Sequence, residues 1–303
     1  MNERVLMDKE RIFSGMKDEA FRETHQYKNP APVLLLQHTK ETTFAAKAHW
    51  HDDLEISLLF KGLVRCYVGG KVKDVTDGRT CLVNSGEVHS TVPMFNGTDR
   101  SAPGITLLVK YDFVASIIPN YDKIMFAIPN VTVEKEIAVY LFEIADLYQN
   151  QKDVKASIEI LGLVCKILCI LLDTSTIERS SVDVNYWKDS ERQKIILDYI
   201  HSNYNQPLKQ GELADKFHFS KEYFCRFFKQ YTGQTFKEYL TGCRLVHAEQ
   251  MLRNSGSSIL EVAQCSGFAD EQAFIRAFKN QYKETPGKYR KNMGGGKKET
   301  LSR

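Results

Sequence analysis

Two stretches decide the fold: ELADKFHFSKEYFCRFFKQYTGQTFKEYL at 212–240 and ILEVAQCSGFADEQAFIRAFKNQYKETPGKYR at 259–290. They repeat one another. Phe224, Arg226, Phe228 and Lys229 fall on Phe274, Arg276, Phe278 and Lys279 with a shift of 50, and Leu213-Ala214 falls on Val262-Ala263 with a shift of 49. Each copy reads as a helix, a short turn and a second helix, with the one-residue difference in the turn. In the first copy a helix over 208–216 turns Leu213 and Ala214 inward, and the small Ala suits a close helix crossing. Ser220 is placed to cap the next helix. There Tyr223, Phe224, Phe227, Phe228 and Tyr231 share the core face, while Glu222, Cys225, Arg226 and Lys229 share the opposite face at i, i+3, i+4 and i+7. In the second copy Gly267 makes the turn and Asp270 caps. Phe274 and Phe278 point inward; Glu271, Gln272, Ile275, Arg276 and Lys279 point outward.

Those outer faces have the chemistry of a major-groove reader. Arg bonds guanine bidentately, Gln does the same for adenine, Ile packs on a thymine methyl, and an acid can accept from the cytosine amine. A helix over about 236–253 joins the copies and is long enough to hold two readers roughly one DNA turn, about 34 Å, apart. Charge agrees. Residues 1–187 hold 21 Lys+Arg against 25 Asp+Glu, whereas residues 188–303 hold 20 against 13. A basic module behind an acidic one points to a polyanionic partner for the C-terminal half.

The stretch from Ile195 to Arg290, including RLVHAEQML at 244–252, resembles the DNA-binding domain of the AraC/XylS family of bacterial regulators. The resemblance implies double-stranded DNA as partner. It also implies base reading by Glu222, Cys225 and Arg226 in the first recognition helix and by Glu271, Gln272, Ile275 and Arg276 in the second. Lys229 and Lys279 are expected on phosphates. By family analogy the output is transcriptional activation through RNA polymerase.

Upstream, the texture from Ala31 to about Tyr111 is β. Short apolar runs (VLLLQ, EISLLF, RCYV, TCLV, ITLLV) alternate with turn residues such as Gly69-Gly70 and Asp77-Gly78. Within it lies HWHDDLEISLLFKG, where His49, His51 and Glu55 share strand parity, so one extended strand would place them on one face. GRTCLVNSGEVH adds His89. Three imidazoles and a carboxylate suit Zn, Fe or Mn. They equally suit a metal-free pocket that hydrogen-bonds a small effector, and this is the expectation adopted, with no cofactor assigned. The spacing resembles the cupin motifs. The first is matched through Gly62; the second departs, with Asn84 in place of the usual Pro and Pro93 in place of the usual closing Asn. The resemblance implies a small double-stranded β barrel with a central pocket, of the kind that binds sugars and other small effectors.

The expected architecture is therefore multidomain: an N-terminal all-β cupin-like barrel with a helical connector, and a C-terminal all-α domain of two helix-turn-helix units. The barrel takes residues 1–130, with a short helix somewhere in 1–30. The connector takes 131–173, where two amphipathic helices offer a homodimer face. A polar linker takes 174–187, the DNA-binding domain 188–291 and a disordered tail 292–303. The N-terminus lacks a signal-peptide core, the most apolar segment (154–172) is interrupted by Lys155, Glu159 and Lys166, and seven scattered cysteines without a CxxC pair read as reduced, buried thiols, Cys165 and Cys169 among them. Together these predict a cytoplasmic protein without a membrane segment. The alternative from another class is a metal-dependent cupin enzyme, an oxygenase or isomerase, carrying the helical domain as passenger. No GxSxG, HExxH or phosphate-binding glycine loop accompanies it.

Overall fold

The computed structural model describes residues 23, 25–27, 31–39, 45–94, 102–149 and 153–294. It divides into two units, residues 1–195 with 230–233 and residues 196–229 with 234–303. The helix expected within residues 1–30 and the tail from 295 onward lie outside the described residues.

In the first unit, strands β1 (Val33–His38), β2 (Ala46–His49), β3 (Leu54–Leu59), β4 (Leu63–Val68), β5 (Lys71–Thr76), β6 (Thr80–Val83), β7 (His89–Pro93) and β8 (Gly104–Val109) follow in order. They form two antiparallel four-stranded sheets, β1-β8-β3-β6 and β2-β7-β4-β5. Then come α1 (Tyr111–Ile117), β9 (Ile124–Phe126), α2 (Val131–Tyr148), α3 (Val154–Ser175) and β10 (Thr176–Glu178). β3 is buried at every position because both of its faces are covered. Leu54, Ile56 and Leu58 join one core with Ile137 and Leu141 of α2 and Ile160, Val164 and Ile167 of α3. Leu59 joins a separate cluster with Val64, Cys66, Val75 and Cys81. On the same face of β3 as Leu59, Ser57 Oγ lies 2.9 Å from Glu55 Oε1 and 2.8 Å from Thr106 Oγ1, and His38 Nε2 lies 3.0 Å from that threonine. Alternation along one strand thus gives an oily face for the helices and a polar row opposite.

The helices are tied to the sheet electrostatically as well. Glu134, in the first turn of α2, is fully buried and accepts hydrogen bonds from Lys73 Nζ at 2.6 Å and from Arg79 Nε. Removing one partner of a buried ion pair strands the other. Glu134→Ala is therefore expected to lower the unfolding free energy by about 2–3 kcal/mol, less than a fully buried pair costs because Lys73 and Arg79 are partly exposed. Urea titration checks this; a loss below about 1 kcal/mol, the worth of a surface pair, contradicts it.

Three sequence expectations change here. Cys165 and Cys169 are exposed, as are Cys225 and Cys265; only Cys66, Cys81 and Cys243 are buried. The core stripe of α3 runs through Ile160, Leu163, Val164, Ile167, Leu168 and Leu171, which leaves 165 and 169 on the far side. The 174–187 stretch is structured: Thr176 to Glu178 pairs antiparallel with Phe126 to Ile124, and a helix, α4 (Val184–Ser202), starts within it. Finally, helix runs to Gly294, past the expected start of the tail at 292. Among the described residues no helix is long and apolar enough to cross a membrane.

The second unit is helical: the end of α4, then α5 (Gln210–Lys216), α6 (Lys221–Thr232), α7 (Phe236–Asn254), α8 (Ile259–Cys265), α9 (Glu271–Tyr282) and α10 (Pro286–Gly294). The repeat is visible in the backbone. His218 and Gly267, 49 apart, both take a left-handed φ, of 58° and 79°. The following N–H groups bond back alike, Phe219 to the Ala214 carbonyl at 2.8 Å and Phe268 to the Ala263 carbonyl at 3.0 Å. The extra residue is Ala269, set between Phe268 and the cap Asp270. In the second copy Gly is required twice over, since a Cβ at Gly267 would also press on the backbone of Tyr204 and Asn205 at 2.7 Å.

Candidate effector site and nucleic-acid interface

In the second unit the caps are made as expected. Ser220 Oγ accepts from Tyr223 N at 3.2 Å, and Asp270 Oδ1 from Ala273 N at 2.6 Å. They fix where α6 and α9 begin, and hence which side chains face out. Phe224, Phe227 and Phe228 are buried on one side of α6, while Glu222, Cys225, Arg226 and Lys229 are exposed on the other. Tyr223 departs from its expected core place. It is 40% exposed and lies at the stripe's edge, against the rings of Phe219 and Phe227. On α9, Gln272, Arg276 and Lys279 are exposed, and Glu271 and Ile275 are half-buried. Cys225 Sγ already accepts from Gln210 Nε2 of α5. α7 spans 19 residues, about 28 Å at 1.5 Å per residue, close to one turn of B-DNA.

In the first unit, His49, His51, Glu55 and His89 come together, with one ligand atom from each lying within 4.8 Å of the others. They do not share one extended strand, as their parity suggested. β2 ends at His49, the chain bends through residues 50–53, and Glu55 lies on β3 in the other sheet. His49 and His89 are cross-strand partners of β2 and β7. Convergence comes from two sheets facing each other, with His51 in the bend between them.

Each imidazole stands between two acceptors. The Nδ1 atoms face backbone carbonyls: His49 that of Lys47 at 2.7 Å, His51 that of Asp53 at 3.0 Å, His89 that of Glu87 at 2.9 Å. The Nε2 atoms face carboxylates. His51 and His89 lie 3.2 and 3.3 Å from Glu55 Oε2, and His49 lies 3.0 Å from Glu23 Oε2. His89 Nε2 is buried and makes no hydrogen bond. Burial first, with His89 and His49 after it, pushes His51 down to about 4 against the pull of Glu55, so at neutral pH this ring is neutral. A neutral imidazole has a single N–H, so one of its two contacts sets lone pair against lone pair. For Glu55, burial is outweighed by His89 and His51, which hold its carboxyl well below the usual range. His49 differs: against the effect of burial, Glu23 draws its pKa up, and its Nε2 is tied to that carboxylate. The pocket is thus short of protons at His51, whose Nε2 faces Glu55 Oε2. A divalent transition ion fits that deficit, and the carbonyls on Nδ1 are the outer partners that orient metal-bound histidines.

Sequence reasoning missed an outer layer. Glu23 Oε2 holds His49, while His25 Nδ1 lies 2.7 Å from Asp53 Oδ2 and its Nε2 lies 3.5 Å from Glu23 Oε1. These residues carry no motif, and only the fold brings 23 to 49. Burial opposes charge on His25, but Asp53 and Glu23 raise its pKa to about 9. Because that value is above the ordinary 6.5, the stabilisation is complete below about pH 6.5 and is lost as pH rises through 9. Wild type is expected to lose roughly 2–3 kcal/mol of unfolding free energy between pH 6.5 and 9.5 that His25→Gln does not lose. Parallel pH profiles for the two proteins would refute this.

Comparisons with known proteins divide along the same line. A family of AraC-like ligand binding domains matches residues 31–117, and a helix-turn-helix domain family matches residues 213–292. The Msm operon regulatory protein of Streptococcus mutans is 35% identical over 94 residues, 31% of this chain and 34% of that protein. The multiple antibiotic resistance protein MarA of Escherichia coli is 35% identical over 101 residues, 33% of this chain and 80% of that protein. Among solved structures, a ToxT variant from Vibrio cholerae aligns over 87% of this chain and 98% of its own at 17% identity, with a TM-score of 0.40. The chain thus spans about a third of the Msm regulator but four-fifths of MarA, and nothing in these matches supports the metal-dependent enzyme alternative. With MarA so fully covered, and an AraC-like ligand-binding region ahead of a doubled helix-turn-helix, this chain belongs to the AraC family of DNA-binding transcription regulators.

Proposed function

We propose that this protein binds specific double-stranded DNA through the outer faces of α6 and α9 and alters that binding when a small polar effector, such as a sugar, enters the first unit. The observation that carries the reading is the pairing of two capped, aromatic-cored helices bearing exposed Arg226, Lys229, Gln272, Arg276 and Lys279 with a buried polar cluster, His49, His51, Glu55 and His89. Glu222, Cys225, Glu271 and Ile275 complete the base-reading set, with Lys229 and Lys279 on phosphates. The polar row of Ser57, Thr106 and His38 beside Glu55 offers hydroxyl-bearing effectors further hydrogen bonds. His49, His51, Glu55 and His89 are also the residues that would hold a divalent ion, which when bound supplies positive charge and a Lewis-acidic contact for an effector oxygen.

In this reading the protein works in the cytoplasm and activates transcription through RNA polymerase. It pairs as a homodimer through the outer side of α2 and α3, where Val139, Val154 and Ile158 stay exposed although the other side packs on the sheet. Sedimentation of the full chain reports the dimer.

The deciding experiment is selection of fragmented genomic DNA by the purified full chain, followed by sequencing. Discrete sites support the reading; uniform recovery overturns it. On a selected site, Arg276→Ala is expected to weaken binding by about 1–3 kcal/mol and relax one base position, whereas Lys229→Ala weakens all sequences alike and lowers the salt slope by about one. A base-specific loss at Lys229 would reverse the two roles.

A further inference from the structure

The turn between β6 and β7, residues 84–89, has two sides. On one side it holds the histidine cluster. Gly86 N–H donates to the His51 carbonyl at 2.8 Å, and the Glu87 carbonyl accepts from His89 Nδ1 at 2.9 Å. On the other side it holds α4 and the segment leading to it. The Tyr186 hydroxyl donates to Glu87 Oε1, and Arg179 Nη2 donates to the Ser85 carbonyl at 3.1 Å. Tyr186 fits only because Gly69 beneath it has no side chain; a Cβ there would overlap its hydroxyl. Lys194, two turns further along α4, lies with Nζ 4.7 Å from the ring of Trp50, the residue between His49 and His51. α4 begins in the first unit, and its residues from 196 on belong to the second.

The departure from the cupin pattern at position 84 now has a physical role. Asn84 donates both its backbone N–H, at 2.8 Å, and its Nδ2, at 3.1 Å, to Glu87 Oε2, and exchanges hydrogen bonds with the backbone of Phe126. A proline has no N–H and no amide side chain, so it would release the Glu87 carboxylate. Asn84 aims one oxygen of Glu87 inward and leaves the other for Tyr186.

We propose that Glu87 and Tyr186 form a relay that reports occupancy of the histidine–carboxylate cluster to helix α4. A ligand that bonds to His89 Nε2 fixes the ring and strengthens the hydrogen bond its Nδ1 gives to Glu87. The same turn presents the Glu87 carboxylate to Tyr186, so a shift in the turn changes how the first half of α4 is held. Tyr186 is a positioning residue and touches no ligand. The proposal rests on the cluster being the effector site.

The test uses the full chain and hydrogen exchange of the peptide 184–195, with two perturbations of the cluster. One is cobalt(II), whose visible absorption reports binding directly. The other is His51→Asn, which alters the cluster without any added ligand. In wild type, at least one is expected to change exchange of 184–195 by about tenfold. In Tyr186→Phe, which keeps the ring over Gly69, the change falls to background while cobalt absorption is retained. A full response in Tyr186→Phe overturns the relay. So does an exchange of 184–195 that moves neither with cobalt bound to wild type nor with His51→Asn in place. Absence of cobalt absorption removes metal from the reading of the cluster and leaves His51→Asn to decide the relay.

Discussion

Phe274→Ala is expected to lower the unfolding free energy of the second unit by about 4 kcal/mol, the middle of the range for a buried aromatic. Phe274 is fully buried among Leu245, Ala248, Leu252, Val262, Ala263, Phe278 and Tyr289, with the rings of Phe268 and Phe278 at 5.2 and 5.6 Å. It is the knob that holds α9 against α7 and α8. Small domains have only about 5–15 kcal/mol in total, so specific DNA binding should fail on mild warming even though no base-facing residue has changed. The two tryptophans, Trp50 and Trp187, both lie in the first unit. Urea unfolding can therefore be followed by their fluorescence for that unit, and the second unit's transition is the part of the helical circular dichroism change that tryptophan does not report. The helical transition should move and the tryptophan transition should hold. A helical loss below about 1.5 kcal/mol would mean that the Phe274 ring is not core.

The second unit was legible in the sequence to within a residue or two because helical order is local. The aromatic stripe, the caps and the left-handed turn all lie within one copy, and a second copy stands beside it for comparison. Tyr223 was misplaced because helical spacing gives the direction of a side chain, not how far the neighbouring helix extends over it. In the first unit the strands were legible and so was the convergence of His49, His51, Glu55 and His89, but not the way they meet. Parity along one strand suggested a shared face for His49, His51 and Glu55. The actual arrangement needs a bend at 50–53 and two sheets, which depend on pairings far apart in the chain. Cys165 and Cys169 read as core from their apolar neighbours, although Lys155, Glu159 and Lys166 mark the outer face of α3 on which both lie. Glu23, His25 and Glu87 have no pattern of their own and gain a role only from the fold.

Zinc or cobalt in thousandfold excess over its dissociation constant is expected to stabilise the first unit by about 4 kcal/mol, and a chelator should remove that gain. The cluster has too few protons for its acceptors. His49, His51 and His89 present six ring nitrogens to six acceptors, three carbonyls and three carboxylate contacts. Neutral rings supply three protons, a charged His49 adds one for Glu23, and full protonation would crowd three charges into rings only 4.1, 4.8 and 5.7 Å apart. One divalent ion on the Nε2 side replaces the missing protons with two charges, leaves each Nδ1–H on its carbonyl, and gives the Glu55 carboxylate a partner. Removing a ligand should cost accordingly: His51→Ala or Glu55→Gln is expected to weaken metal binding by at least about a hundredfold, while a surface His→Ala control changes nothing. Affinity should also fall as pH drops below about 6, because protons then compete for the imidazoles. Thermal unfolding followed by tryptophan fluorescence, with and without each ion, measures the gain. If zinc, cobalt, manganese and iron(II) all leave the midpoint unmoved, the proton deficit must be met by an organic effector that brings its own donors. A polyol hydroxyl between Glu55 and His51 would then be the species to look for.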